Sequence, residues 1–489
     1  MLERELKLAP PETFSLARLG PQLNGYAASP VQFKRLHTVY YDTPDLRLTR
    51  WGCSLRLRLG EGWTLKIPVP SESQALFREE HVFPDDDTGV PAAVSDLATA
   101  YLRGASPAPV AELRTLRTSR RVTAEDGADL AEVVEDDVRV VDGTSVIRRF
   151  RQVEIELADG APDELLDVLE DLLRCEGAGK VDPVPKNVRA LGERAREPEI
   201  HAPQLTPNAT IGDVARAAFA RSAELIVRYD AKLRLQPDET TIHQARVAVR
   251  RLRSDLRAFL PLLEQTWASD LRARLSWLQD GLSAARDTDV LIAGLRRQSR
   301  KLPDADRRRL DGLLAPFAAA REAACERVHE MLHEPAYVPL LQHIVDAANH
   351  PPFTALATEP ASEVIPSIIS GAWSTLRKRV RKCSRPPSDR ELHGIRIAAK
   401  RVRYAAEAVE PVAGRPVRLL ARRVEGVQTI LGEQHDTVVA CRALRELTGE
   451  NAFFAGELAA LEVLAGVKAR ARWRAAWRTA KRAHRRFLA

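Results

Sequence analysis

Residues 243–253, HQARVAVRRLR, return at 393–403 as HGIRIAAKRVR, and LQDGLSAARDTDV at 278–290 returns at 427–439 as VQTILGEQHDTVV. The displacements, 393 − 243 = 150 and 436 − 287 = 149, agree across two distant blocks, so the second half of the chain is an internal duplication. From Ile211 onward the hydrophobic period is helical, with alanine, leucine and arginine dominant, which predicts an all-α region. A break at 348–360, ANHPPFTALATEP, divides it into repeats of about 211–347 and 361–489.

At about 100° per residue, His243, Arg246, Arg250, Arg253 and Arg257 share one helical stripe, while Ala245, Ala248, Leu252, Leu256 and Phe259 fall opposite. The second copy carries His393, Arg396, Lys400 and Arg403. A solvated helix relieves such crowding with acids at i+4, but along each stripe only cations and a histidine occur, so an outside anion is implied. Guanidinium and ammonium groups with open donors suit phosphate oxygens. The competing expectation is that the arginines pair with acids of neighbouring helices, and Asp287 and Asp436 are expected as such internal partners. The last helix adds Arg474, Arg478, Lys481, Arg482, Arg485 and Arg486, with Trp473 and Trp477 as core contacts. Aromatic residues are 5% of the chain and no RNA- or DNA-reading motif occurs, which disfavours nucleic acid as the partner.

These duplicated blocks resemble the CHAD domain, the conserved-histidine α-helical domain, over about 210–489. That family is built of two related helical bundles and is associated with inorganic polyphosphate. The resemblance implies polyphosphate binding by His243, Arg246, Arg250, Arg253, His393, Arg396, Lys400 and Arg403.

The first half reads differently. Residues 1–200 carry 26 Lys+Arg against 35 Asp+Glu, a net of −9, and the remainder 48 against 32, a net of +16. Up to about residue 157, alternating runs such as HTVYYDT, SLRLRLG, WTLKIPV, FREEHVF, LAEVVEDDV and RQVEIEL predict many antiparallel strands, hence a sandwich or closed barrel. APDELLDVLEDLLRCEG then predicts one amphipathic helix, and the proline-rich 196–210 a linker. The opening ERELK places Glu3, Glu5 and Lys7 on one strand face. Paired carboxylates resist ionisation unless a metal or basic side chains compensate. Arg56 and Arg58, Lys66, Arg78 with Glu80, Arg117, Arg120 and Arg121, Glu132 with Asp136, and Glu154 with Glu156 continue the theme. Turned inward in a barrel, such faces make a lumen that must be wet and occupied.

ExExK, YYDTPDLRLTRWGCSLRLR at 40–58 and WTLKIP together resemble the CYTH domain of the triphosphate tunnel metalloenzymes, over about 1–195. The resemblance implies Glu3, Glu5 and Lys7 as catalytic, with Glu3, Glu5, Glu154 and Glu156 as ligands of Mg²⁺ or Mn²⁺. It implies triphosphate binding by Lys7, Arg56, Arg58, Lys66, Arg78 and the group Arg117, Arg120 and Arg121, leaving open which arginine of that group faces the lumen. Glu80, Glu132 and Asp136 are second choices, and Lys186, in PKNVRAL, is a further tunnel residue. Gln152 stands where some relatives carry an acid, and FREEHVF leaves open which of its side chains face inward.

The expected architecture is α+β and multidomain: an N-terminal antiparallel β tunnel (1–195), a linker (196–210) and C-terminal all-α duplicated helical bundles (211–489). The expected function is a metal-dependent inorganic triphosphatase, also acting on short polyphosphate, with a polyphosphate-binding helical domain. Alternatives are a non-catalytic polyphosphate adaptor and an adenylate cyclase-type enzyme. Five scattered cysteines and no long apolar run lead us to expect a cytoplasmic protein without a membrane partner, with association to polyphosphate granules a further expectation. Oligomeric state is not legible.

Overall fold

The computed structural model describes residues 2–20, 22–23, 26–69, 78–85, 89–124 and 126–488, with the backbone alone at 2, 3, 22, 23, 305, 306 and 450. It divides into two compact units, Met1–Glu199 and Ile200–Ala489.

The first unit contains β1 (Leu2–Glu3), β2 (Glu5–Ala9), β3 (Gln22–Leu23), β4 (Tyr26–Ala28), β5 (Gln32–Asp42), β6 (Ser54–Arg58), β7 (Gly62–Pro68), β8 (Arg78–Phe83), β9 (Ala108–Thr123), β10 (Asp129–Asp142), β11 (Ser145–Leu157) and β12 (Lys180–Val181). Its helices are α1 (Arg47–Arg50), α2 (Ala92–Leu97), α3 (Thr99–Leu102), α4 (Glu164–Cys175) and α5 (Lys186–Leu191). The strand order is β1-β8-β7-β6-β5-β9-β10-β11-β2-β12, with β3 and β4 attached beside β9. All pairings are antiparallel. β1 pairs with β8, and after the single residue Arg4, β2 pairs with β11. β1 and β2 are consecutive pieces of one segment, so the strand path returns to its start at β2, with β12 laid beside the last residues of β2, and the sheet closes on itself.

Cross-strand partners share a face, so register sorts the side chains. Leu8, Val133, Val153 and Ile155 lie on the outer face and are buried with Leu165, Leu169 and Leu173, the apolar stripe of α4. Each fully buried leucine contributes about 1.5–3 kcal/mol. Arg4, the polar residue among the leucines of the first strand, donates to the carbonyls of Ala161 (2.8 Å) and Ala158 (2.7 Å) at the turn before α4. With apolar side chains turned outward under a helix, the charged side chains are left for the interior.

The second unit runs α6 (Ile211–Leu235), α7 (Glu239–Ala258), α8 (Gln265–Ser299), α9 (Asp304–Arg307), α10 (Leu310–Leu332), α11 (Tyr337–Asn349), α12 (Ala361–Lys382), α13 (Asp389–Ala413), α14 (Arg415–Arg445) and α15 (Ala452–Leu488). Thr210 with Asp213 and Ser388 with Glu391 form reciprocal capping boxes that start α6 and α13, and Asp238 caps α7. In the first half α7 packs on α6 and α8, α10 on α8 and α11 back on α6; in the second α12, α13, α14 and α15 pack in succession, and α7 packs on α13 across the halves. The face opposite the basic stripe, Ala245, Ala248, Leu252, Leu256 and Phe259, is buried as its period predicts. Trp473 is buried and Trp477 stacks on Trp373 with centroids 4.9 Å apart, so both tryptophans serve packing. No helix among the described residues is long and apolar enough to cross a membrane.

The division falls after Glu199, inside the stretch expected as a linker. Arg50 donates to the carbonyls of Glu197 (3.1 Å) and Pro198 (3.2 Å), and Glu199 accepts from Trp51 and Arg103, all in the first unit. His201 N–H donates to Asn349 (3.1 Å) in the second.

Candidate functional sites

Inside the closed sheet, Glu5, Glu156 and Glu132 stand directly opposite one another on β2, β11 and β10. Lys7 stands opposite Glu154, and Arg117 opposite Asp136, which in turn faces Gln152. Glu156 is exposed whereas Asp136 and Gln152 are fully buried, so the rows run from a wet end to a dry one. On the other wall, Lys66 faces Glu80, Arg56 faces Thr64, and Arg78 faces Glu3.

The dry end is a tight ionic cluster. Arg117 grips Asp136 through two parallel hydrogen bonds, Nε–Oδ1 2.9 Å and Nη2–Oδ2 2.8 Å. Lys186, the first residue of α5, puts its Nζ 2.9 Å from Asp136 and 2.6 Å from Glu154. Lys7 lies 3.6 Å from Glu154 and also pairs with Glu5. Burial pushes the Glu154 carboxyl up, but Lys186, Lys7 and Arg117 outweigh it and hold the group well below the usual carboxylate range. Burial likewise opposes the charge on Lys186, and Glu154 and Asp136 overcome it, raising its pKa. Opposite, Glu80 lies 3.1 Å from Lys66 and 3.6 Å from Arg56, and Arg58 lies 2.7 Å from Glu61. The Nε atoms of Arg56, Arg58 and Arg78 are buried without a hydrogen-bond partner. Buried donors left open are costly, and three on one wall mark a place for acceptor oxygens.

In the helical unit the two stripes converge where α7 meets α13. Arg246 bonds Ser283 Oγ (3.0 Å) and lies 3.2 Å from Asp287, the expected internal partner. Asp436 forms no corresponding ion pair among the described residues, though its charge still acts on Arg396. Arg250 and Arg403 both lie over the Tyr404 ring, at 5.7 and 5.3 Å. Nε of Arg250, Arg253 and Arg396 and Nδ1 of His393 are buried and unpartnered. Burial, then Arg396, Arg250 and Arg246, push the Lys400 ammonium down to about 7. His435, whose ring lies 4.5 Å from that of His393, is pushed down to about 4 by burial, then Arg396 and His393. Asp287 and Asp436 offset only part of this charge, and the cations held this close concentrate positive potential where the stripes meet.

A CYTH domain model matches residues 1–186 and a CHAD domain model residues 217–445. Uncharacterized protein Rv2226 of Mycobacterium tuberculosis (strain ATCC 25618 / H37Rv) is 30% identical over 462 residues, covering 86% of this chain and 85% of that protein. The chain belongs to the CYTH–CHAD proteins. Among solved structures, the CHAD domain from the plant Ricinus communis is similar at 28% identity, with a TM-score of 0.45 over 57% of this chain and 94% of that one. PptA from Streptomyces chartreusis is similar at 20% identity, with a TM-score of 0.45 over 55% and 100%.

In the CYTH unit, Glu5, Lys7, Arg56, Arg58, Lys66, Arg78, Arg117, Glu154 and Glu156 all carry the inward register. The Glu3 backbone is paired on that face, but its side chain lies outside the described residues. Arg120 is corrected: it stands on the outer face and donates to the carbonyls of Leu19 (2.8 Å), Gly20 (2.7 Å) and Ser29 (2.9 Å). Arg121 shares the inner register but is exposed and pairs with Asp129 (3.4 Å). In FREEHVF, Arg78 and Glu80 face inward, while Glu79 and His81 take the other face. Gln152 donates to the Val184 carbonyl (3.0 Å) and leaves Oε1 unpartnered. Lys186 lies at the centre of the cluster, and Lys34, opposite Arg117 and paired with Glu61, is a rim cation that sequence reasoning missed. In the CHAD unit, Arg403 is drawn to Glu407 (2.7 Å) and Glu425 (3.0 Å). His435 is the residue missed there.

The family implies a divalent cation. The row Glu5–Glu156–Glu132 fits one by its donors: like charges directly opposed repel, and hard carboxylate oxygens suit Mg²⁺ or Mn²⁺. Among the described residues no three such side chains converge on one point.

Proposed function

We propose that the CYTH unit is an inorganic triphosphatase, acting also on short polyphosphate, and that the CHAD unit binds longer polyphosphate. The observation that carries this reading is the wall of open guanidinium donors, Arg56, Arg58 and Arg78, facing a second cationic wall pinned by carboxylates. A linear phosphate chain offers acceptor oxygens along its whole length to both walls.

Asp136 fixes Arg117 in bidentate geometry and shares Lys186 with Glu154, so these cations need no reorganisation when phosphate arrives. Arg56, Arg58, Lys66 and Arg78 hold the chain from the opposite side. Phosphoryl transfer passes through a loose transition state, so catalysis consists mostly of positioning and charge stabilisation, and no covalent nucleophile is required. Glu154, held ionised by three cations, is a poor proton acceptor and acts by orienting Lys186 and Lys7. A divalent cation held by Glu5, Glu132 and Glu156, with Glu3 two residues before Glu5, would neutralise phosphate oxygens and polarise the attacking water.

The test is phosphate release from tripolyphosphate and from ATP with Mg²⁺ or Mn²⁺, with cyclic nucleotide assayed in parallel. Preferred release from tripolyphosphate is expected. Cyclic nucleotide as the main product would replace this reading with a cyclase, and binding without turnover would replace it with an adaptor.

A further inference from the structure

The duplicated helices differ at one place in the sign of their charge. By the 150-residue displacement, Arg251 matches Arg401, Arg257 matches Glu407 and Arg272 matches Arg422. On one side of the α7–α13 contact the match makes an ion pair, with Arg251 Nη2 2.8 Å from Glu407 Oε2. Glu407, Glu410 and Glu425 line that groove with Arg418 and Arg422. On the related side no acid takes the corresponding place, and the charges of Arg257 of α7, Arg379 of α12 and Arg272 of α8 all act against that of Arg401 of α13.

Arg379 is built into this place. A Cβ at Gly394 would stand 2.5 Å from its Nη1, so the guanidinium lies against α13 at a residue seven before Arg401, on the same helical face. Arg379 also lines a groove with Arg377, Lys378, Arg381 and Lys382 and a single acid, Glu391. Nε of Arg253 and of Arg272 are buried and unpartnered. Arg257, Arg272, Arg379 and Arg401 form no ion pair among the described residues. Asp280 offsets part of the charge on Arg253. The crowding has its electrostatic signature: burial, then Arg257, Arg379 and Arg272, pull Arg401 below its ordinary range, and burial, then Arg257 and Arg253, do the same to Arg272.

We propose that Arg253, Arg257, Arg272, Arg379 and Arg401 form a second anion site of the helical unit, present in one half only, that takes adjacent phosphate groups. The inference deepens the polyphosphate reading and rests on it for the ligand class. The central stripe, being duplicated, offers a chain two equivalent directions, and the charge inversion between Arg257 and Glu407 makes them unequal. The phosphates come either from the end of a chain lying on the stripe or from a separate short phosphate compound.

The decisive variant in the full-length protein is Arg257→Glu, which gives Arg401 the partner that Glu407 gives Arg251 and should therefore fold. Arg401→Gln is its companion should Arg257→Glu fail to fold. Calorimetric titration with long-chain polyphosphate should show affinity lower by about tenfold and a shallower salt dependence. Loss of one equivalent of bound tripolyphosphate as well identifies a separate short compound, and loss for long chains alone identifies a continuation of the stripe. Wild-type affinity, stoichiometry and salt slope with both probes in the folded variant would overturn the site. Arg246→Ala with Arg250→Ala and Arg396→Ala separates the two readings: wild-type affinity there, with loss in Arg257→Glu, removes the stripe and leaves this site standing.

Discussion

Replacing Lys186 by methionine tests whether the dry end of the tunnel is held together by charge. The substitution keeps the length of the side chain but removes the ammonium 2.6 Å from Glu154 and 2.9 Å from Asp136. Breaking a buried ion pair from one side costs about 3–5 kcal/mol, because the remaining charge stays desolvated. The lower end applies, about 3 kcal/mol, since Arg117 still grips Asp136 and Lys7 still lies 3.6 Å from Glu154. The pH dependence follows in sign. In the wild type, Glu154 is depressed below its ordinary 4.5 and Lys186 raised above its ordinary 10.5. The first contribution is lost only as pH falls through the depressed value and the second only as pH rises through the raised one, so stability from this cluster is flat between them. Without Lys186, burial regains weight and the Glu154 pKa rises. The deficit should therefore be largest near neutrality and shrink as acid protonates the carboxyl. Native-state hydrogen exchange read on peptides within 129–157 measures it in the full chain, where a single unfolding midpoint has no simple meaning. Adding Glu154→Gln should recover most of the loss. Wild-type protection in Lys186→Met at neutral pH would refute the reasoning, as would a deficit that does not shrink in acid.

Three further outcomes are expected. Glu3→Gln with Glu5→Gln should abolish metal-dependent release of phosphate from tripolyphosphate while circular dichroism shows a folded protein, since removing like charges from one strand face relieves repulsion. Substituting Arg246, Arg250, Arg396 and Lys400 by alanine should weaken long-chain polyphosphate binding and flatten its salt dependence, as fewer counterions are displaced; titrations at two ionic strengths check this. Because Lys400 is pushed down to about 7, polyphosphate affinity should rise as pH falls from 8 to 6, with proton uptake seen as a dependence of the calorimetric heat on buffer ionisation, and Lys400→Arg should abolish the uptake.

Much of this was readable in the chain. Period-two runs, the helical period after Ile211 and the matched displacements specify both architectures, because each follows from which side chains must leave water. The inward-facing set was readable wherever residues two apart, such as Glu154 and Glu156, declare a common face. Adjacent Arg120 and Arg121 differ by one residue, and only the register of β9 against β10, which slips between Asp129 and Ala131, decides which faces inward. Lys186 lies on a six-residue helix, where strand periodicity carries no information. The fate of Arg403 did have a signal: Glu407 stands four residues on, the spacing of a helical ion pair. Its second partner, Glu425, is on another helix and only packing brings it near.

The ring closure has a consequence in time. Leu2 must find Glu79, and Glu5 must find Glu156, so the opening segment of this unit waits for nearly the whole unit before it can pair on both sides. Contacts so distant along the chain are slow to form. Arg117, Asp136, Glu154 and Lys186 meet on β9, β10, β11 and α5, but the carboxylate row gains Glu5 and the cluster gains Lys7 only when the last gap in the ring is sealed. Ring closure and completion of the inward-facing rows are therefore a single event.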